Sequence, residues 1–204
     1  MLGEALKSWQ WYALWALLFL NVTAGIAIIG VASPMTQEIT GVSPLAAAGL
    51  VGILGLPNGL GRFLWAWLSD AIGRKWVFLA MFLLQAVIFF VLPLISAFLL
   101  FAALVLIVLL CYGGGFGTMP AFAADYFGAK NVGSIYGLML TAWSMGGVVG
   151  PILMARLRET TGAYSNALYI IAGIMLVSAV VPFIVRPPVR EETTMERTPE
   201  PVQR

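Results

Sequence analysis

Long apolar runs separated by short polar turns make up most of the chain. Each run is long enough to cross a hydrocarbon core of about 30 Å as an α-helix, so the pattern predicts an all-α membrane protein with six spans. The predicted spans are 9–32, 45–68, 76–92, 98–124, 132–155 and 166–185. A polar lead, 1–8, precedes them, and residues 186–204 form a charged, proline-rich tail that we expect to be disordered and cytoplasmic.

Prolines, glycines and polar residues predict where these helices end or bend. Ser33-Pro34 and the polar residues after it predict the end of the first span, and Pro57 predicts a kink in the second. The glycine-rich run 113–117, followed by Pro120, predicts a broken or flexible helix in the last third of the fourth span. Residues 156–165 are rich in charged and polar side chains, which predicts a loop before the sixth span.

Three polar side chains inside the predicted spans have structural explanations. Asn21 and Thr23 could line a pathway or could form hydrogen bonds within the first helix. Gln85 in the third span is expected to form an interhelical hydrogen bond, which is a common role for an amide in a membrane helix.

Composition and charge narrow the function classes. The chain has 61% hydrophobic and 10% charged residues, and its net charge of +2 is spread without a basic patch, so nucleic acid is not an expected partner. The sequence has no histidine, and a lone Cys111 cannot form an intrachain disulfide. Because the spans hold no trio of nucleophile, base and orienting group, we expect neither a cofactor nor an enzyme.

Basic residues are distributed unequally between the two ends of the predicted bundle. Cytoplasmic loops of membrane proteins carry the excess of lysine and arginine. One end holds Lys7, Arg74, Lys75, Lys130 and the tail arginines, and the other holds Arg156 and Arg158. We therefore expect a multi-pass protein of the plasma or inner membrane with both termini in the cytoplasm.

Arg62 stands alone in a run that is otherwise uncharged from Gly41 to Ser69. Asp70 follows eight residues later, which places Arg62 about 12 Å inside the end of the helix. A central arginine costs about 3 kcal/mol and tends to face a bundle interior or a watery cavity, although its side chain could instead extend to the interface. On a helix, Arg62 shares a stripe with Gly55, Asn58, Trp65 and Ser69, which favours a polar lining.

The sequence from Ala66 to Lys75 resembles the cytoplasmic loop signature of the major facilitator superfamily, with Ala66 in place of its first glycine. Asp70, Gly73, Arg74 and Lys75 carry the resemblance, which implies a charged latch that forms in one orientation of the bundle and breaks in the other. An ordinary charged turn is the alternative.

The fifth predicted span carries a second resemblance. Gly137, Gly146, Gly150 and Pro151 resemble the helix-bending pattern of superfamily antiporters, with Met154 in place of the last glycine. The pattern implies bending during transport, although close helix packing explains the glycines as well.

Four stretches resemble the second half of the oxalate/formate antiporter family: 19–25, 58–62, 111–120 and 131–137. The resemblance implies helices seven to twelve of a twelve-helix transporter of small carboxylates, with Arg62 binding the carboxylate. Asn58, Tyr136, Thr141, Trp143 and Ser144 are further candidates for lining the substrate cavity.

The family's oxalate exchanger also uses a lysine in the eleventh helix, and Trp143 stands at about that position in this sequence. One positive charge predicts a preference for formate or lactate over oxalate.

The mechanism that the resemblance implies is exchange by alternating access, in which two six-helix halves rock about a central cavity. We expect the second half to come from an N-terminal half or a second copy of this chain, with membrane lipid around the assembly. Proton-linked monocarboxylate symport is the alternative coupling. A non-transporting subunit or a truncated remnant is the alternative function.

The topology predicts which loops are reachable from outside the cell. Single cysteines placed near Glu38 or Glu159 are expected to react with an impermeant thiol reagent in intact cells, whereas a cysteine near Lys130 is expected to stay unlabelled. The reverse labelling pattern would contradict the assigned orientation.

Overall fold

The computed structural model of the chain describes residues 2–186. Within that range six helical segments are long and apolar enough to cross a membrane, which confirms the predicted fold class. The α-helices are α1 (Leu2–Ala5), α2 (Trp9–Thr40), α3 (Pro44–Ile53), α4 (Gly55–Ile72), α5 (Arg74–Val91), α6 (Phe98–Phe127), α7 (Val132–Met139), α8 (Thr141–Thr161), α9 (Tyr164–Ser178) and α10 (Val181–Ile184). Leu92–Leu94 and Ala129–Asn131 form single 3₁₀ turns. The disorder predicted for the tail concerns residues outside the described range, apart from Arg186.

The first helix does not end at Ser33-Pro34, as the sequence predicted, but continues to Thr40. The polar residues after the proline support the helix, because the Thr36 hydroxyl donates to the Ala32 carbonyl at 2.6 Å. The Thr40 hydroxyl donates in the same way to the Thr36 carbonyl at 2.7 Å. Gly41, with a φ of 71°, then ends the helix in the left-handed conformation.

Two spans are each built from two helices. The second span is interrupted at Leu54, between α3 and α4. Pro57 lies three residues further on, and since it has no N–H, the carbonyl of Ile53 loses its helical donor. The interruption between α3 and α4 therefore lies one turn before the proline from which a kink is predicted. The fifth span is interrupted at Leu140, between α7 and α8.

The loop predicted over 156–165 is wrong, because α8 continues through Arg156 and Arg158 to Thr161. Gly162, with a φ of 81°, accepts the left-handed conformation that ends α8, and α9 begins at Tyr164. The charged residues thus extend a helix beyond its apolar part rather than ending it.

The predicted break in the fourth span is also wrong. Helix α6 runs without interruption from Phe98 to Phe127, with Pro120 inside it. Its glycines face neighbouring helices at close range, so they provide contact surface rather than a hinge. A Cβ added at Gly115 would lie 2.5 Å from the Oδ1 atom of Asn21 on α2.

The contact between α4 and α6 is a backbone contact. An added Cβ would overlap a carbonyl oxygen of the facing helix at three glycines: Gly61 against Leu110, Gly113 against Asn58, and Gly117 against Arg62. Small residues permit this approach in membrane helices, where close packing replaces the hydrophobic effect between helices. The glycines therefore fix the distance between the two helices that carry Arg62 and the glycine-rich run.

Gln85, Asn21 and Thr23, three polar side chains within the spans, are buried. The prediction of an interhelical bond for Gln85 is wrong, because its Nε2 atom donates to the Met81 carbonyl of its own helix at 3.2 Å. Its Oε1 atom is buried without a hydrogen-bond partner among the described residues. Asn21 and Thr23 are buried on α2, and their side chains form no hydrogen bond with the described residues.

The second and fifth spans are much more exposed than the others. In their most apolar windows 22% and 28% of the residues are buried, against 44% to 56% in the other four spans. The core therefore lies among α2, α5, α6 and α9. The exposed apolar face includes Leu56, Leu60, Phe63 and Trp67 of α4 and Met145, Val148 and Ile152 of α8.

A carboxylate holds three helix ends together at the end of the bundle opposite the Ala66–Lys75 loop. The Oε2 atom of Glu38 accepts from Nε and Nη2 of Arg158, at 3.1 and 2.8 Å. Its Oε1 atom accepts the backbone N–H of Tyr164 at 2.8 Å. Glu38 thus joins the ends of α2 and α8 to the start of α9, and this cluster was not anticipated from the sequence.

The glycine contacts give a stability prediction. Gly117→Ala is expected to lower the free energy of unfolding by about 1–3 kcal/mol, because the new methyl group overlaps the α4 backbone. Gly59→Ala is the matched control on α4, since a Cβ there meets no atom within 4 Å. Thermal unfolding in detergent measures both variants, and equal melting temperatures for the two would contradict the assigned contact.

Candidate functional site

A cavity of about 530 Å³ opens on the exposed face between the second, fourth and fifth spans. Its lining combines one cation, one amide and four aromatic rings with a leucine, and consists of Asn58, Arg62, Tyr112, Phe116, Tyr136, Leu140 and Trp143. Arg62 lies about 15 Å from the end of α4 along the helix, which places the cavity at membrane depth. Such a concave, mostly apolar site with a few polar groups is typical of small-molecule binding.

The guanidinium of Arg62 lies over an aromatic ring and has no anionic partner among the described residues. Its Cζ atom is 5.2 Å from the ring centroid of Phe116, within the range of a cation–π contact. The ion pairs of the described residues join other basic side chains, Arg74 and Arg158, to carboxylates. The arginine therefore lies against Phe116 inside the cavity, with its charge uncompensated in the described part of the chain.

Phe116 is the centre of the aromatic lining. Its ring meets those of Tyr112 and Trp143 edge to face, with centroids 5.2 and 6.1 Å apart. The Nε1 atom of Trp143 donates to the Tyr112 hydroxyl at 3.2 Å, and the Tyr136 hydroxyl donates to the Phe116 carbonyl at 3.2 Å. These contacts join four aromatic side chains from α6, α7 and α8 beside the Arg62 guanidinium.

The structure brings four of the six sequence candidates together and places the other two elsewhere. Arg62, Asn58, Tyr136 and Trp143 line the cavity. Thr141 instead accepts a hydrogen bond from Trp15 Nε1 at 2.9 Å and donates to the Leu138 carbonyl. Ser144 lies in a separate depression beside Met145, Val148 and Val149.

Asn58 contributes less polarity to the cavity than its residue type suggests. It is half-buried, and its Oδ1 atom is enclosed without a hydrogen-bond partner among the described residues. A Cβ added at Gly113 would lie 3.0 Å from this oxygen, so the amide oxygen faces α6.

Sequence reasoning missed Tyr112 and Phe116, although the signal was present. The two residues are four positions apart, so they share one face of α6 and meet in the cavity. They flank the first glycines of the run 113–117. Those glycines favoured an interpretation based on backbone flexibility and not on the helix face that carries the two aromatic rings.

The loop signature forms a charge cluster around Arg74. Its guanidinium pairs with Asp70 at 2.5 Å and with Asp125 at 3.2 Å, and it also donates to the Ser69 hydroxyl. Gly73, with a φ of 94°, allows the sharp turn between α4 and α5. Asp125, at the end of α6, was not among the candidates, and Lys75 forms no ion pair with the residues described.

The glycines of the fifth span differ in their surroundings. A Cβ added at Gly146 would lie 3.0 Å from Val22, and one at Gly150 would lie 2.9 Å from the Thr23 carbonyl, so both pack against α2. Pro151 lies inside α8, and Gly137 on α7 has no atom within 4 Å of an added Cβ.

A helical membrane bundle with an uncompensated cation in a cavity at membrane depth has the architecture of a transporter. The family model described as Major Facilitator Superfamily matches residues 14–203, and the chain belongs to that family. The cavity residues and the Arg74 cluster thus lie in a transporter fold.

Several curated transporters are similar to the chain over most of its length. The oxalate:formate antiporter of Oxalobacter formigenes is 27% identical over 191 residues, which cover 91% of this chain and 46% of that protein. A putative tartrate transporter of Agrobacterium vitis is 29% identical over 174 residues, covering 83% and 39%. The apicoplast pyruvate carrier 1 of Toxoplasma gondii is 28% identical over 169 residues, covering 78% and 30%. The chain therefore spans less than half the length of these relatives.

The Arg74 cluster gives a second stability prediction. Arg74→Gln is expected to lower the free energy of unfolding by about 1 kcal/mol, because two half-exposed carboxylates lose their cation. Lys75→Gln removes the neighbouring charge without breaking an ion pair of the described residues, and is expected to change little. Chemical denaturation in detergent compares the variants, and an equal loss in both would contradict the central role of Arg74.

Proposed function

We propose that the chain forms one half of a secondary transporter that exchanges small carboxylate anions across the membrane by alternating access. The observation that supports this function is the unpaired Arg62 in the aromatic cavity. A guanidinium at membrane depth needs a compensating anion, and a ligand carboxylate provides one with two parallel hydrogen bonds. A charge without a fixed partner is free to bind and release such a ligand in each cycle.

The names of the relatives support the same substrate class. Oxalate, formate, tartrate and pyruvate are all carboxylates, and the proteins named for them align with most of this chain. Their identities of 27% to 29% support a class of substrate rather than a particular anion.

The charge of the cavity favours a monoanion. Arg62 is the charged residue among the seven that line it, and Trp143 contributes an aromatic surface near it. A second carboxylate of oxalate would have to give up water without a matching cation in this half of the site, which carries a cost. We therefore infer that formate, lactate or a similar monocarboxylate is preferred over oxalate.

Exchange is the coupling that the charges support. The acidic side chains Glu38, Asp70 and Asp125 form ion pairs at the ends of helices. In the described part of the chain, the cavity lining contains no carboxylate that could carry a proton beside the substrate. Proton-linked symport would need such a group from another segment or subunit.

The exposed face of the second and fifth spans supports the need for a partner. The cavity opens on this face, so a substrate would be enclosed only when a second surface covers it. An N-terminal six-helix half or a second copy of this chain would supply that surface, and lipid would surround the remaining spans. We place the assembly in the plasma or inner membrane with its termini in the cytoplasm.

Counterflow of labelled formate, lactate and oxalate in proteoliposomes tests the proposal. Arg62→Gln is expected to reduce uptake at least about tenfold, because a charge-assisted pair with the carboxylate is lost. Arg156→Gln is the matched control, since Arg156 is exposed near the end of α8. Lactate and formate are expected to move faster than oxalate.

Two results would contradict the proposal. Uptake that is unchanged by Arg62→Gln would favour a non-transporting membrane subunit, and oxalate uptake far above that of formate would contradict the monoanion preference. If the purified chain shows no uptake, an Arg62-dependent rise in melting temperature with lactate still tests the binding role of the arginine.

A further inference from the structure

The two phenols of the cavity offer opposite hydrogen-bonding character to a ligand. Tyr112 and Tyr136 both line the cavity that contains Arg62. Each phenol already forms one hydrogen bond within the protein, in which one phenol is the acceptor and the other is the donor. A phenol can donate one hydrogen bond and accept others, so the bond already formed determines what remains for a ligand.

Tyr112 is available as a donor. The indole nitrogen of Trp143 can only donate, so in the 3.2 Å contact the Tyr112 oxygen is the acceptor. The Tyr112 hydroxyl has no acceptor among the residues that the structure describes, and its proton remains free for a ligand oxygen.

Tyr136 is available as an acceptor. The Phe116 carbonyl can only accept, so in this contact of 3.2 Å the Tyr136 hydroxyl is the donor. Its single proton is therefore engaged, and the lone pairs of its oxygen are what it can offer to a ligand.

Phe116 contacts Arg62 and both tyrosines, and all four residues line the same cavity. The centroid of its ring lies 5.2 Å from the Arg62 Cζ atom and 5.2 Å from the centroid of the Tyr112 ring. Its backbone carbonyl binds Tyr136. A ligand anchored on Arg62 by a carboxylate thus shares the cavity with one phenol that can donate and one that can accept.

The group that satisfies both phenols is a hydroxyl, because it accepts from Tyr112 and donates to Tyr136. A keto oxygen can only accept, and a methylene group does neither. We propose that the site selects monocarboxylates with a hydroxyl on the carbon next to the carboxylate, the 2-hydroxy acids. This inference rests on the proposed carboxylate function and names the member of that class that the cavity fits.

A comparison of lactate, pyruvate and propionate separates the contributions of the two hydrogen bonds to binding, because these anions share a three-carbon skeleton and a single charge. Dissociation constants come from the concentration dependence of the melting temperature in detergent, so no transport step is needed. Lactate is expected to bind about fivefold more tightly than pyruvate, and pyruvate about fivefold more tightly than propionate, with one hydrogen bond accounting for each step.

Two variants test which tyrosine accounts for each of these differences in affinity. Tyr136→Phe is expected to remove the difference between lactate and pyruvate, because only the hydroxyl donates to the Tyr136 oxygen. Tyr112→Phe is expected to bring pyruvate to the affinity of propionate and to leave lactate about fivefold tighter, because the lactate hydroxyl still donates to Tyr136. Tyr169→Phe is the matched control, since that phenol lies in a groove between α5 and α9, and it should leave the ranking unchanged.

The outcomes distinguish this inference from the carboxylate function. Equal affinities for the three anions that all disappear in Arg62→Gln would overturn the preference for hydroxy acids and leave the carboxylate function standing. A ranking that Tyr136→Phe leaves unchanged would also overturn the inference. Absence of Arg62-dependent binding of any of the three would overturn both proposals.

Discussion

Backbone contact between α4 and α6 is the constraint on which the candidate site depends. Gly61, Gly113 and Gly117 bring the two helices so close that a single methyl group would overlap the opposite backbone. Because the helices touch at this distance, Arg62 on one and Phe116 on the other meet as cation and ring. The same approach encloses the Asn58 amide oxygen, so helix packing also decides which polar atoms face the cavity.

The ion pairs of the described residues lie at the two ends of the bundle. At one end Arg74 joins carboxylates from α4 and α6, and at the other Glu38 joins α2, α8 and α9. Each cluster is centred on one charged group that satisfies several partners, which favours a defined geometry over an exposed single pair. Arg62 lies between these clusters and has no carboxylate partner among the residues that the structure describes.

The sequence predicted the class of fold and the central cation, because both depend on residue type and position along the chain. Helix ends were harder to predict, since threonines such as Thr36 and Thr40 can either end a helix or donate hydrogen bonds to its carbonyls. The glycine-rich run was misjudged because a glycine allows flexibility or close contact according to what lies opposite, and only the tertiary structure supplies the neighbour. Trp143 and Thr141 differ by two positions, which turns their side chains about 200° apart on a helix, so one lines the cavity and the other faces α2.

The interruptions at Leu54 and Leu140 leave each cavity-bearing span with a short arm, α3 or α7, beside a long helix. The arms lie toward opposite surfaces of the bundle, because the second span begins where the first ends, whereas the fifth begins where the fourth ends. A helix whose hydrogen-bond ladder is already interrupted bends there more readily than within an intact segment. Each arm, of two to three turns, is therefore joined to its long helix at the point where the span bends most readily, and neither arm carries a member of the Glu38 or Arg74 clusters.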